Sequence, residues 1–142
     1  MDVNTFQTTT GTPMTAVTAP EMAAVDRVAV DEFGIALLQM MENAGRNLAG
    51  HIRDTHTGPV VVLAGNGGNG GGGLCAARHL ANRDIPVSIV LDHHPDELVG
   101  AARTQYETLA SMGVPVDYGV DALTTQDVGT GLTDRFAEPR LS

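Results

Sequence analysis

A run of glycines behind a short apolar segment is the feature of this sequence best suited to chemistry. Seven of the nine residues in Gly65–Gly73 are glycine, and the exceptions are Asn66 and Asn69. Five apolar residues, Val60–Ala64, precede the run, and a helical apolar pattern begins at Leu74. A continuous apolar run of this length is typical of a strand buried on both faces. The order strand, glycine loop and helix predicts a phosphate cradle, because glycine lets the backbone approach an anion that the helix N-terminus attracts.

The same glycines also fit the dinucleotide-binding spacing G-x-G-x-x-G, at Gly65, Gly67 and Gly70. Asp92 ends the next apolar segment about twenty residues later, where an acidic side chain can bind a ribose hydroxyl. In so glycine-rich a run the match is partly accidental, and a flexible linker is the alternative. Asn69 adds an amide oxygen, which among free backbone carbonyls can ligate a hard cation.

Composition excludes several classes of function. The chain has 142 residues and a formal net charge of −9, and all eight of its basic residues are arginine. The length fits one domain or a piece of one. Because lysine is absent, a P-loop nucleotide hydrolase and Schiff-base chemistry are excluded. The acidic charge argues against nucleic acid and anionic membrane as partners, and no apolar run is long enough to span a bilayer.

Three further side chains have both a functional and a structural interpretation. Cys75 is the only cysteine, which fits a reducing compartment, and we expect a cytoplasmic protein. Its thiol is either activated by the helix N-terminus or a small core residue, and we favour the core. His93 and His94 are adjacent and could bind a metal ion, but no third ligand is evident nearby.

Helical and strand periodicities place these residues in an α/β fold. Residues 1–17 are polar and threonine-rich, which predicts a disordered tail, and residues 18–142 form the predicted domain. Thr18 and Glu21 fit a capping box at the start of a first helix that ends near Gly34. The remaining pattern predicts helices at about 35–53, 74–82 and 96–112, and strands at 86–91 and 114–118. Alternating strands and helices favour a parallel sheet with right-handed crossovers.

Two motifs together resemble the NAD(P)H-hydrate epimerase family, the YjeF N-terminal domain. The second predicted helix contains QMMENAGR at Gln39–Arg46, and the glycine run is followed by AARHL at Ala76–Leu80. The similarity runs from about Thr18 to Tyr118. On spacing alone, Glu42 and its polar neighbours Asn43 and Arg46 would be solvated helix surface, and the resemblance favours a functional role for them.

The resemblance implies a Rossmann-like, three-layer α/β/α fold with a mainly parallel sheet, commonly dimeric. It implies epimerisation of the R and S forms of hydrated NADH and NADPH, with potassium as the cofactor and a separate NAD(P)H-hydrate dehydratase in the same repair pathway. It assigns no catalytic residue here. Asn69 and Asp127 are the implied potassium ligands. The implied substrate-binding residues form two glycine-containing segments: Gly68, Asn69, Gly70, Gly71, Gly72, and Gly129, Thr130, Gly131.

This sequence departs from the family pattern at several places. Gly68 stands where the family usually has asparagine, and Gly72 where it has aspartate. Asp127 lies two residues before Gly129 rather than four, and the later Asp-x-Pro-Ser-Gly segment has no counterpart before Ser142. We therefore expect a partial domain: an epimerase-like protein, or one made inactive by truncation. The alternatives are an ordinary NAD-binding Rossmann domain and a non-catalytic dimerisation or scaffold module.

Overall fold

The computed structural model describes residues 5–125, which divide into two compact units with the boundary in the chain between Leu37 and Leu38. The first unit opens with a hairpin of β1 (Thr5–Gln7) and β2 (Pro13–Thr15). Its turn passes through Gly11 at a φ of 83°, which suits glycine. This hairpin lies where composition predicts a disordered tail. Its strand residues are exposed, so cross-strand backbone bonds rather than burial hold it.

Helix α1 (Ala19–Asp31) follows the hairpin and confirms the predicted capping box. The Thr18 hydroxyl accepts from the Glu21 amide, and the Glu21 carboxylate accepts from the Thr18 amide at 2.6 Å. These bonds satisfy two donors that the helix itself cannot pair. The bond from the Thr18 amide also lowers the pKa of Glu21. After the helix the chain turns at Gly34, which has a φ of 68°.

The second unit contains a three-stranded parallel sheet whose strand order follows the chain. Val60 pairs with Val87 and Ala64 with Leu91 across the first two strands, and Ile89 pairs with Val116 across the next. The predicted α/β class and parallel sheet are therefore confirmed. The elements are α2 (Leu37–Thr55), β3 (Val60–Ala64), α3 (Gly68–Ala81), β4 (Val87–Leu91), α4 (Gly100–Ser111), β5 (Val116–Tyr118) and α5 (Val120–Thr125).

One face of the sheet is covered by helices α3 and α4. Alternate residues of the strands point to this face, among them Ala64, Ile89 and Leu91, and they pack with Leu74 of α3 and Leu109 of α4. Helix α2 joins the same layer, because its Ala49 is buried in a cluster with Ala76 and Leu80 of α3. Parallel strands joined by crossovers of the same hand place their helices on one face, and α3 and α4 accordingly pack side by side.

The opposite face of the sheet carries Leu63 and Val90, the residues that alternate with those of the core. They line an open crevice together with Val120 and Leu123 of α5. Leu63 is 38% exposed, so this face is less completely covered than the other. Among residues 5–125, no helix has both the length and the apolar character needed to cross a membrane.

Candidate functional site

Helix α3 begins at Gly68, six residues before the predicted start at Leu74. Most of the glycine run is therefore the first part of the helix, and the connection from β3 is only Gly65–Gly67. The prediction that the whole glycine run is a loop is wrong, because tertiary packing outweighs the low helix propensity of glycine. The predicted order of strand, turn and helix is confirmed.

Close packing explains two of the helical glycines. A Cβ built at Gly70 would overlap the carbonyl oxygen of Gly65, the residue that opens the turn. A Cβ at Gly71 would lie 2.5 Å from Cε of Met41, which is on α2, and 3.3 Å from Cα of Ala102 on α4. Both glycines are buried. They let the start of α3 lie against its neighbours more closely than any side chain would permit.

The N-terminus of α3 presents free backbone donors to solvent. Gly67 caps the helix in an extended conformation, without a hydrogen bond from a side chain. The first intrahelical bond runs from the Gly71 amide to the Gly67 carbonyl at 3.0 Å, so helix geometry leaves the amides of Gly68, Asn69 and Gly70 without intrahelical acceptors. Gly68 and Asn69 are exposed. Such an end attracts anions through its N–H groups and the helix dipole.

The crevice on the open face has a volume of about 390 Å³ and lies at the carboxyl ends of all three parallel strands. In open α/β sheets, ligands bind at this edge. Its lining is mostly apolar, and Asp92 supplies the carboxylate. The lining residues are Leu63, Ala64, Gly65, Val90, Leu91, Asp92, Gly119, Val120 and Leu123.

Asp92 connects the crevice to the turn before α3. Its amide donates to the Ala64 carbonyl at 3.1 Å, and its carboxylate oxygen Oδ2 lies 3.6 Å from the position a Cβ would take at Gly65. Oδ1 lies 2.9 Å from Nδ1 of His93, and the hydrogen bond and charge of Asp92 raise the pKa of that histidine. His94 instead packs edge-on against the Tyr118 ring. Within residues 5–125 neither histidine belongs to a group of metal-ligating side chains.

A second polar group, which the sequence does not predict as a unit, joins α2 to α3. The Glu42 carboxylate is bound by the Arg78 guanidinium through Oε2 and lies 2.6 Å from Nε2 of His79 through Oε1. The Cys75 thiol donates to Oε2 at 3.4 Å, and Arg78 also reaches Gln105 on α4. Cys75, Arg78 and His79 share one face of α3 by their three- and four-residue spacing.

The pKa of the Cys75 thiol distinguishes between its two interpretations, an activated thiol and a core residue. Burial, reinforced by the neighbouring Glu42 carboxylate, raises the pKa of the Cys75 thiol to about 11. Cys75 is fully buried. The interpretation of Cys75 as a core residue is therefore confirmed, and the interpretation of its thiol as activated is wrong. Partial burial acts to raise the pKa of Glu42, but bonds from Cys75 and His79 and the charge of Arg78 outweigh it and lower that pKa. Nearby, Arg46 donates to Asn43 at 3.3 Å.

The predicted site residues fall into two groups. Gly68, Asn69, Gly70, Gly71 and Gly72 all lie in the first turns of α3, and a Cβ at Gly68 or Gly72 would meet nothing within 4 Å. The second predicted segment, Gly129, Thr130 and Gly131, lies outside the described residues, as does the predicted potassium ligand Asp127. The structure of residues 5–125 therefore gives the positions of the first predicted segment only.

A parallel sheet, a tight strand-to-helix turn with an uncapped helix N-terminus, and a crevice at the carboxyl edge define an α/β protein with a Rossmann-like fold. The model of the family described as YjeF-related protein N-terminus matches residues 37–133. The chain belongs to this family.

Two relatives and one solved structure illustrate the similarity. NAD(P)H-hydrate epimerase of Dehalogenimonas lykanthroporepellens is 53% identical over 93 residues, which cover 61% of this chain and 37% of the relative. The bifunctional NAD(P)H-hydrate repair enzyme Nnr of Salinibacter ruber is 38% identical over 154 residues, covering 87% of this chain and 28% of the relative. The crystal structure of yeast ynu0, YNL200c, superposes with a TM-score of 0.66 at 27% identity, covering 84% of this chain and 50% of that one. The chain thus spans less than half the length of these two curated relatives.

Proposed function

We propose that this chain is the dinucleotide-holding part of an NAD(P)H-hydrate epimerase, an isomerase that interconverts the R and S forms of hydrated NADH and NADPH. The names of its relatives support the activity. The observation that carries the proposal is the uncapped N-terminus of α3 beside the crevice at the carboxyl edge of the sheet. Its free amides suit a pyrophosphate, and the apolar crevice suits a ring system.

In this proposal the residues of α3 bind and orient the substrate. The amides of Gly68 and Asn69 donate to phosphate oxygens, while Gly70 and Gly71 hold the backbone in the close-packed position that aims those amides outward. Gly72 leaves open space where the resemblance implies an aspartate. Gly129, Thr130 and Gly131 complete the substrate site. The epimerisation itself takes place at the hydrated nicotinamide ring, and we assign its acid and base to no residue between 5 and 125.

In this proposal, Asn69 and Asp127 are ligands of a potassium ion. A hard monovalent cation is held by several carboxylate, amide and carbonyl oxygens. Asn69 offers one amide oxygen, and it stands at a helix N-terminus whose N–H groups repel a cation. The donors near Asn69 within residues 5–125 therefore do not fit a potassium site by themselves. Potassium binding is tested by comparing the unfolding temperature in KCl with that in NaCl. We assign potassium no catalytic step.

Ligand-dependent stability of the full chain tests the proposal. Hydrated NADPH at about 100 times its dissociation constant should stabilise the folded state by ~2.7 kcal/mol, a clear rise in the unfolding temperature. Asn69→Asp adds a carboxylate beside the phosphate and should reduce that rise. The matched control, Asn82→Asp, adds the same charge at the opposite end of α3, where Asn82 is the C-cap, and should leave the rise intact.

Two other results would favour a different function for this chain. An ordinary NAD-binding Rossmann domain is the second candidate, because Asp92 lines the crevice where a ribose hydroxyl would bind. It predicts that Asp92→Ala weakens NAD binding while Asn69→Ala has little effect. A cooperative unfolding transition that neither nucleotide nor potassium shifts would contradict both assignments and favour a non-catalytic scaffold.

Partners and location follow from the same proposal. We place the protein in the cytoplasm as a homodimer, and light scattering that gives a monomer mass at working concentration would contradict the dimer. An NAD(P)H-hydrate dehydratase would use the product. The name of the Salinibacter relative, a bifunctional repair enzyme, supports such a link.

A further inference from the structure

The cluster between α2 and α3 contains three side chains of the kinds that bind transition metals. Glu42 contributes a carboxylate oxygen, Cys75 a sulfur and His79 an imidazole nitrogen, and these atoms all lie within 4.8 Å of one another. Within residues 5–125 this is the only such group of three. It lies on the helix layer, whereas the proposed dinucleotide site lies at the N-terminus of α3 and the carboxyl edge of the sheet.

We propose that Glu42, Cys75 and His79 form a binding site for a thiophilic divalent cation of the zinc class, with the fourth coordination position open to water. Zinc binds sulfur at about 2.3 Å and nitrogen or oxygen at about 2.0–2.2 Å, so tetrahedral ligand atoms stand roughly 3.3–3.7 Å apart. The Cys75 sulfur is 3.4 Å from Oε2 of Glu42, which is already in this range. His79 Nε2 lies 2.6 Å from the other carboxylate oxygen, Oε1, and the three ligand atoms lie within 4.8 Å of one another, so the side chains have to shift by about 1 Å to reach tetrahedral spacing.

Metal binding changes the charges of this cluster. Without the metal, the Glu42 carboxylate is neutralised by Arg78, and the Cys75 thiol is protonated, since it donates to Glu42. With the metal, one carboxylate and one thiolate neutralise the dication. The thiol proton passes to solvent, one per ion bound, and no electron is transferred. Arg78 keeps its own positive charge, so the whole cluster goes from neutral without the metal to a net charge of +1 with it.

Arg78 is the competitor for this site, and the structure offers it another partner. Its guanidinium has to leave Glu42 when a cation enters. Nε of Arg78 already lies 3.5 Å from Oε1 of Gln105, a buried side chain on α4. The arginine can keep this contact while its NH2 group moves away from the carboxylate. Arg78 is thus expected to weaken metal binding. Removing its charge should therefore strengthen metal binding, whereas removing a ligand should weaken it.

Cobalt absorption of the tag-free, full-length chain measures the site directly. Co²⁺ should give a thiolate-to-metal charge-transfer band that saturates at one ion per chain, and Zn²⁺ should displace it. His79→Gln should weaken Co²⁺ binding at least tenfold. Arg78→Gln should strengthen it, because the competing cation is gone. The control His51→Gln removes an exposed histidine roughly 13 Å further along α2 and should change nothing.

Cys75 is fully buried, so Cys75→Ser is accepted as a test only where far-ultraviolet circular dichroism matches the parent, and it should then abolish the band. The other variants do not depend on that substitution. Absence of the band in the parent chain, an affinity unchanged by His79→Gln, or weaker binding by Arg78→Gln would each overturn the proposal. None of these outcomes depends on dinucleotide binding, so the metal site and the proposed function fail separately.

Discussion

Three neighbouring glycines in α3 should respond differently to alanine, because only two of them face other parts of the chain. Gly72 is helical and a Cβ there would meet nothing within 4 Å. Replacing a glycine in a helix interior by alanine gains about 1 kcal/mol. Gly72→Ala should therefore raise the free energy of unfolding by about that amount.

Gly70→Ala should have the opposite effect. Its Cβ would overlap the backbone oxygen of Gly65, and no side-chain rotation can relieve that overlap. Overpacking of this kind costs about 1–3 kcal/mol, and a backbone clash belongs at the upper end. After subtracting the gain of about 1 kcal/mol in helix propensity, we expect a net loss of about 2 kcal/mol. Gly71→Ala should lie between the two, because its closest neighbour is the flexible end of Met41.

Urea unfolding of the full chain at 25 °C, followed by circular dichroism, checks this order. With a urea dependence of about 2 kcal/mol per molar, the midpoint should rise by roughly 0.5 M in Gly72→Ala and fall by roughly 1 M in Gly70→Ala. Equal midpoints in all three variants would refute the reasoning. That result would mean that the glycines form a flexible loop and not the packed first turns of a helix.

Three further outcomes follow from the local contacts. Thr18→Ala removes an N-cap and should lower hydrogen-exchange protection in α1 by about 1 kcal/mol, whereas unchanged protection would show that the capping box is unimportant. The Cys75 thiol, with a pKa of about 11, should not react with a disulfide reagent at pH 8 until the chain is unfolded in urea, and fast reaction of native protein would contradict its burial. Asp92→Asn should lower the pKa of His93, measured by NMR titration. Because the folded-state pKa is raised, stability from this pair is present below pH 6.5 and lost as the pH rises through that pKa, and a pH-independent difference from the variant would count against the pairing.

Most of the elements of the second unit could be predicted because their apolar periodicity is strong. Continuous apolar runs mark β3 and β4, and helical spacing marks α2 and α4 within a few residues of their observed ends. The start of α3 could not be predicted from the sequence. Glycine has a low helix propensity, and the contacts that require glycine at these positions come from residues distant in the sequence. Gly71 faces Met41 and Ala102, about thirty residues away on either side, and no local pattern encodes that contact.

The cluster around Glu42 could have been found in part from the sequence. The spacing of Cys75, Arg78 and His79 puts three polar groups on one helix face, next to apolar positions that must be buried. A half-buried arginine needs an acidic partner, and Glu42 lies next to the apolar stripe of the preceding helix. Which helix faces meet is tertiary information, so the pairing itself required the structure.

The two motifs that make the family recognisable meet each other in the fold. Glu42 and Gly45 belong to the first motif, and Arg78 to the second. Glu42 binds Arg78, and a Cβ at Gly45 would lie 2.5 Å from the Cys75 sulfur beside that second motif. The motifs are therefore two sides of one contact between α2 and α3. A matching pair of motifs identifies the fold, whereas the substrate site that we propose lies at the uncapped first turn of α3. Ligand binding at that turn, rather than further sequence similarity, decides whether this chain works as an epimerase.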